Sequence, residues 1–158
     1  MTTALQNEVM GDTIDSVVSV AQALGLFAKV NGHEPKAAPG TRMTCAVWVQ
    51  SLYPAPAQSG LSATTGRLVL NVRIYQNFRS EPEDSIDPDV TRAASLLMGV
   101  YLSDLDLDTP GVWTIDPHGM AGIQAGIEAG YLEQDGAMFR TLTLTLPLLI
   151  ADLWPQTN

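Results

Sequence analysis

Ala137–Ile150 reads AMFRTLTLTLPLLI, and its middle alternates strictly: Leu142, Leu144 and Leu146 fall on one side of an extended chain and Thr141, Thr143 and Thr145 on the other. That pattern predicts a long, half-buried strand. Just before it stands Asp135-Gly136, the strongest short hairpin signal in the chain, because a two-residue hairpin loop needs residues that tolerate positive φ. The segment Ala121–Glu133, AGIQAGIEAGYLE, alternates small or polar with apolar residues and predicts a Gly-rich strand on the other arm of that hairpin. Its GxxxG spacings do not indicate a membrane helix contact, given Gln124 and Glu128.

Further towards the N-terminus, Thr44–Leu52 is β-branched and aromatic, and Gly66–Tyr75, GRLVLNVRIY, alternates cleanly. Both predict strands. In the second, Leu68, Leu70, Val72 and Ile74 share the core face, while Arg67, Asn71 and Arg73 share a face open to water or a partner. The connection from Tyr53 to Thr64 carries Pro54 and Pro56 and is long for a hairpin loop, which marks it as a candidate functional segment. Ile14, Val17, Val18, Ala21 and Leu24 repeat at helical spacing, with Asp12 or Thr13 as cap and Gly25 near the end. Asp87-Pro88 opens a second helix whose apolar stripe is Val90, Ala93, Ala94, Leu97 and Tyr101. VWTI, 112–115, is a short strand candidate. Helix, two strands, helix and a closing antiparallel set predict an α+β domain: a single antiparallel or mixed β-sheet with two helices packed on one face. The whole chain, 1–158, reads as one domain, with residues 1–12 and 155–158 expected to be flexible ends.

With 158 residues, 46% hydrophobic and 16% charged, the chain is long enough for one sizeable core and too apolar for disorder. No apolar run approaches the ~20 residues of a membrane helix, so no membrane partner is expected. The opening MTTALQNEVMGD has no Lys or Arg ahead of its apolar part, which argues against a secretory signal and for an intracellularly made protein. Cys45 is the only cysteine, and its place in TCAVWV predicts a buried small hydrophobe.

The net charge of −9 is unevenly placed: between Glu81 and Asp108 eight acids face the single Arg92. Specific nucleic-acid binding is therefore not expected, since phosphate is held by Lys and Arg. Asp104, Asp106 and Asp108 have the spacing that begins a calcium loop, but Thr109 stands where Gly is needed and Ile115 where Glu is needed. A solvated acidic connection ending in a Pro110-Gly111 turn is the better reading. His33-Glu34 does not continue into HExxH, because position 37 is Ala and Pro35 intervenes. Neither a GxSxG elbow, a P-loop nor GxGxxG is present, so no catalytic, cofactor or metal residues are expected. Asp116 with His118 is the one acid/base pairing that a small hydrolase could use; a turn histidine fits that sequence better.

Taken together, SVVSVAQALGLF, CAVWVQSL, the Pro-rich tip, RLVLNVRIYQN, EDSIDPDVTRAASLLMGVY and GYLEQDGAMFRTLTLTLPLLIADLW resemble the tail terminator proteins of long-tailed bacteriophages over roughly Ile14–Trp154. The resemblance implies a non-enzymatic homohexameric ring, without cofactor, that caps the tail tube and offers a docking surface to the head connector. It implies as partners the tail tube protein and the head-tail connector protein, and as location the virion tail after assembly in the host cytoplasm. A head-completion or neck adaptor ring is the alternative within the same assembly. A ring subunit needs two different surfaces. Candidate interface residues are Tyr53, Pro54, Pro56, Arg67, Asn71, Arg73, Thr141, Thr143 and Thr145, although a solvated strand face satisfies the same alternation. Under that resemblance Asp104, Asp106 and Asp108 would face the channel, where negative charge lets DNA slide without adhering.

Overall fold

The computed structural model describes residues 3–36, 40, 42–78, 86–104 and 113–155. Its elements are α1 (Thr3–Ala23), β1 (Val30–Asn31), β2 (Thr44–Pro54), a 3-10 turn (Pro56–Gln58), β3 (Ala63–Asn77), α2 (Ile86–Ser103), β4 (Trp113–Ile115), β5 (Gly126–Gln134) and β6 (Ala137–Pro155). They form an α+β fold with one mixed six-stranded sheet. β1 runs parallel to β2, and every other pairing is antiparallel.

β6 is the spine. One of its edges pairs with β3 from Phe139↔Asn77 to Pro155↔Ala63, and the other is shared by β5 and β4 in succession. The leucine alternation explains why this register is fixed: Leu142, Leu144, Leu146, Leu148 and Ile150 lie beside Leu68, Leu70, Val72 and Ile74 on a single buried face. A one-residue slip would turn all of them to the opposite face, and each such side chain contributes about 1.5–3 kcal/mol by burial. Asp135 and Gly136, with φ of 53° and 78°, make the two-residue turn that sets the β5–β6 register.

Both helices close over the leucine face. Val17 and Ala21 of α1 and Val90, Ala93, Ala94, Leu97, Met98 and Tyr101 of α2 join the strand residues in one core cluster. The buried Tyr101 hydroxyl donates to the Val17 carbonyl at 2.8 Å, tying the helices together. On the opposite face, Ala46, Tyr75 and Phe139 form a smaller cluster at the hairpin end, flanked by Trp48, Leu132 and Ala137.

Several boundaries differ from the sequence reading: β3 and β6 run longer at their ends, and β5 begins at Gly126, so 121–125 of the expected Ala121–Glu133 strand lie off the sheet. α1 begins at Thr3, so residues 3–12 are helical, and Thr13 is no cap: it lies buried within the helix, donating its hydroxyl to the Val9 carbonyl at 2.7 Å. Asp87 sits inside the first turn of α2, where its carboxylate favours the positive end of the helix, and accepts from Arg140 Nε at 2.9 Å. Tyr53 and Pro54 belong to β2, paired with Arg67 and Gly66, which shortens the connection to 55–62. Residues 156–158, the Pro110-Gly111 turn and five of the eight acids of the acidic window, in 81–85 and 105–108, lie outside the described residues.

Cys45 is fully buried on β2, and burial pushes its thiol up to about 12. Little thiolate is therefore present in the folded protein near neutral pH. We predict that a thiol reagent labels the folded protein only at the rate of global opening, and labels the denatured protein at the ordinary rate. Fast labelling under native conditions would contradict this burial.

Candidate functional site

The face of the sheet turned away from the helices holds the polar residues. The register stacks Ala46, Arg73, Thr143 and Glu128 in one row across four strands, with Trp48, Asn71, Thr145 and Gly126 in the next. Together with Gln50 and the backbone of β5, these rows enclose an open groove of about 310 Å³ whose lining includes Asn71, Arg73, Glu128, Thr141, Thr143 and Thr145. Arg73 is held in place: its Nε donates to Thr143 Oγ1 at 2.7 Å, and its guanidinium lies 5.2 Å from the centre of the Trp48 ring. Burial raises the Tyr75 phenol, and neighbouring Arg73 partly offsets that rise. A positive group, a carboxylate on the far wall and a row of neutral hydroxyls make a surface for hydrogen-bonded recognition.

Beyond the groove the outer face is covered by the chain itself. β4 and β5 lie along the same edge of β6, yet Asp116 donates its N–H to Pro147 while Gly126 pairs with Thr145, so segment 117–125 stands opposite Leu146 alone. That segment leaves the sheet, and the Ala125 N–H donating to the Pro117 carbonyl at 3.1 Å closes it. Pro147 marks the point of departure. A strand residue directs its N and C=O towards the same neighbour, so the donor that Pro147 lacks would have pointed at the gap.

The excursion is clamped from beneath by a buried pair. Arg67 and Asp116 are each 4% exposed, with Nε 3.7 Å from Oδ2. Asp116 Oδ1 accepts from Met120 N at 2.9 Å and Oδ2 from Ala121 N at 3.1 Å, while Arg67 Nη2 donates to the Ile123 carbonyl. Gly122 is required here, since a Cβ would lie 2.9 Å from the guanidinium carbon of Arg67. The clamp presents Met120, 82% exposed, and Ile123 at the surface.

The expected interface residues thus separate. Asn71, Arg73, Thr143 and Thr145 converge on the groove with Thr141, which is itself buried. Arg67 is corrected: alternation placed it on an open face, but the excursion covers it, and a pattern in β3 alone carries no sign of a segment fifty residues later. Tyr53, Pro54 and Pro56 are exposed at the tip of the β2–β3 hairpin. The tip is rigid: Ser59 Oγ donates to the Ala55 carbonyl at 2.8 Å and accepts from Thr65 N at 3.0 Å. Asp104 directly follows α2 and is half-buried, and Asp106 and Asp108 lie outside the described residues. Asp116 spends its carboxylate on Arg67 and two backbone N–H groups, none of it on the exposed His118.

Sequence reasoning missed Gln50, Trp48 and Glu128. Glu128 was within reach, because counting back from the Asp135-Gly136 turn pairs it with Thr143. Gln50 was not, since it enters the groove at a register shift between Val49 and Ser51. Among the described residues no helix is long and apolar enough to cross a membrane. No protein-family model matches the chain, and no curated protein matches it at a significant level.

We predict that Asp116→Ala, which leaves the buried Arg67 unpaired, costs about 3–5 kcal/mol in denaturant unfolding. Adding Arg67→Met should recover part of that loss. Strictly additive losses in the double-mutant cycle would show that the two side chains do not act as a pair.

Proposed function

We propose that this chain is a structural ring subunit of the tail-terminator kind, six copies of which cap a phage tail tube and offer a docking surface to the head connector. The observation that supports this reading best is the one-sided layering of the fold. Among the described residues the helices cover only the leucine face, and the other face keeps a polar groove built on four strands. A subunit that meets neighbours on two sides and further proteins above and below needs such uncovered, pre-formed surfaces.

The rigid hairpin tip adds a second surface. Tyr53 is 59% exposed and Leu61 98%, on a connection fixed by its own hydrogen bonds. Large apolar side chains displayed on an ordered tip suit insertion into a partner. The net charge of −9 suits a ring through which DNA passes, because it repels phosphate. A catalytic reading finds less support, as the hydrogen bond to the Thr143 hydroxyl comes from Arg73 and not from a base.

The test is addition of the purified chain to assembling tail tubes of the same phage, followed by electron microscopy. Six-fold rings should seat on one tube end and stop elongation there. Tyr53→Ser with Leu61→Ser should leave stability within about 0.5 kcal/mol, as exposed substitutions do, while weakening capping. Tubes that elongate past the added protein would remove the terminator role; rings that bind only the head connector would favour the neck adaptor.

A further inference from the structure

Among the described residues the two lateral strands of the sheet, β2 and β5, each keep a stretch of edge without a strand partner. Among those residues β1 covers β2 only at Cys45 and Ala46, which leaves the stretch from Trp48 to Pro54 without a strand partner. β5 pairs with β6 along its whole length and, among the described residues, with no strand on its other side. Neither open stretch carries a mid-strand lysine or proline, and what interrupts them is a register shift at Val49/Ser51 in β2 and the charges of Glu128 and Glu133 in β5.

We propose that these edges pair with each other between copies of this chain, β5 of one subunit beside β2 of the next. Three observations carry this. The first is strand sense. β2 and β6 run one way and β3 and β5 the other, so a neighbour's β2 laid beside β5 continues the antiparallel alternation with the same sheet face up. The contact is heterologous, each subunit giving one edge of each kind, and a constant rotation closes it into a ring.

The second is charge. Segment 29–42, which leads through β1 into β2, carries Lys29, Lys36 and Arg42 against Glu34. Gly126–Gly136 carries Glu128, Glu133 and Asp135 and no basic residue. In antiparallel apposition to the open stretch the Gln134 end of β5 meets Trp48 next to the end of β1, so the acidic end of β5 points towards the basic segment 29–42. The third is apolar surface. Val49 on β2 and Ile127 and Tyr131 on β5 lie on the helix side of the sheet and are exposed, although their in-line neighbours Leu70 and Leu144 are fully buried. Apposed edges would cover them.

This inference deepens the ring reading by naming its subunit contact, and it rests on that reading only for closure at six copies. Charge exchange tests it. One variant carries Glu128→Lys and Glu133→Lys; the other carries Lys29→Glu and Arg42→Glu. Sedimentation velocity should show the wild type associating with concentration and each variant associating at least about tenfold more weakly. An equimolar mixture should recover association, because in alternating order the two altered edges face each other and the two native edges do likewise. Thermal melts check that both variants fold; if either does not, Glu133→Gln alone, read through a weakened association and a shallower salt dependence, replaces it. Variants that associate like the wild type, a mixture that fails to recover, or a wild type monomeric at every concentration would overturn the edge pairing. Edge-dependent rings that cap no tail tube would remove the tail assignment and leave the pairing standing.

Discussion

The β3–β6 ladder is the constraint on which the other elements depend. β6 is nineteen residues long and engages β3 on one side over nearly its full length, while its other side serves two shorter strands in turn. The alternating leucines permit only one register, because any odd slip would carry the buried set to the polar face. Once that register is set, the helices have one apolar surface to cover and Tyr101 one carbonyl to reach. The threonines are set as well, by default, on the far side.

What the ladder leaves uncovered is where specificity is concentrated. One end of the far face is occupied by the excursion between β4 and β5, which is costly to hold because it buries a cation and a carboxylate. The cost is offset by complete use of the carboxylate, which meets a guanidinium and two backbone donors. The middle keeps its groove open, and Arg73 is fixed there by Trp48 and Thr143 rather than left to search. At the hairpin end, Arg140 joins α2 to β5 by pairing with Asp87 and lying 4.4 Å from the Tyr131 ring centre, itself stacked on Phe78. Rigid scaffolding therefore surrounds each exposed surface, which lowers the ordering cost of any contact made there.

Local patterns made much of this legible. Alternation in β3 and β6, the Asp-Gly turn and the α2 stripe each depend on neighbours in sequence, and each agrees with the structure. The failures are non-local. Arg67 reads as an open-face residue until a distant segment folds over it, and Thr13 reads as a cap because residues 3–12 lack the apolar spacing of the rest of α1. Tyr53 and Pro54 read as loop because proline is rare in strands, yet Pro54 stands at the very end of β2 on the sheet's lateral strand, where a missing donor costs little. The groove was half visible: the threonines and Arg73 were named, but only the register across four strands brings them together.

A rigid β3–β6 spine carries two lateral strands whose outer edges, in the pairing proposed above, receive a second copy. Residue-resolved hydrogen exchange in dilute and concentrated solution tests this most directly. The amides of β3 and central β6 should exchange only with global unfolding at both concentrations, while β5 and the Trp48–Pro54 half of β2 exchange quickly when dilute and become protected when concentrated. Protection that appears instead on the outer face of α2, with both strand edges unchanged, would contradict the account.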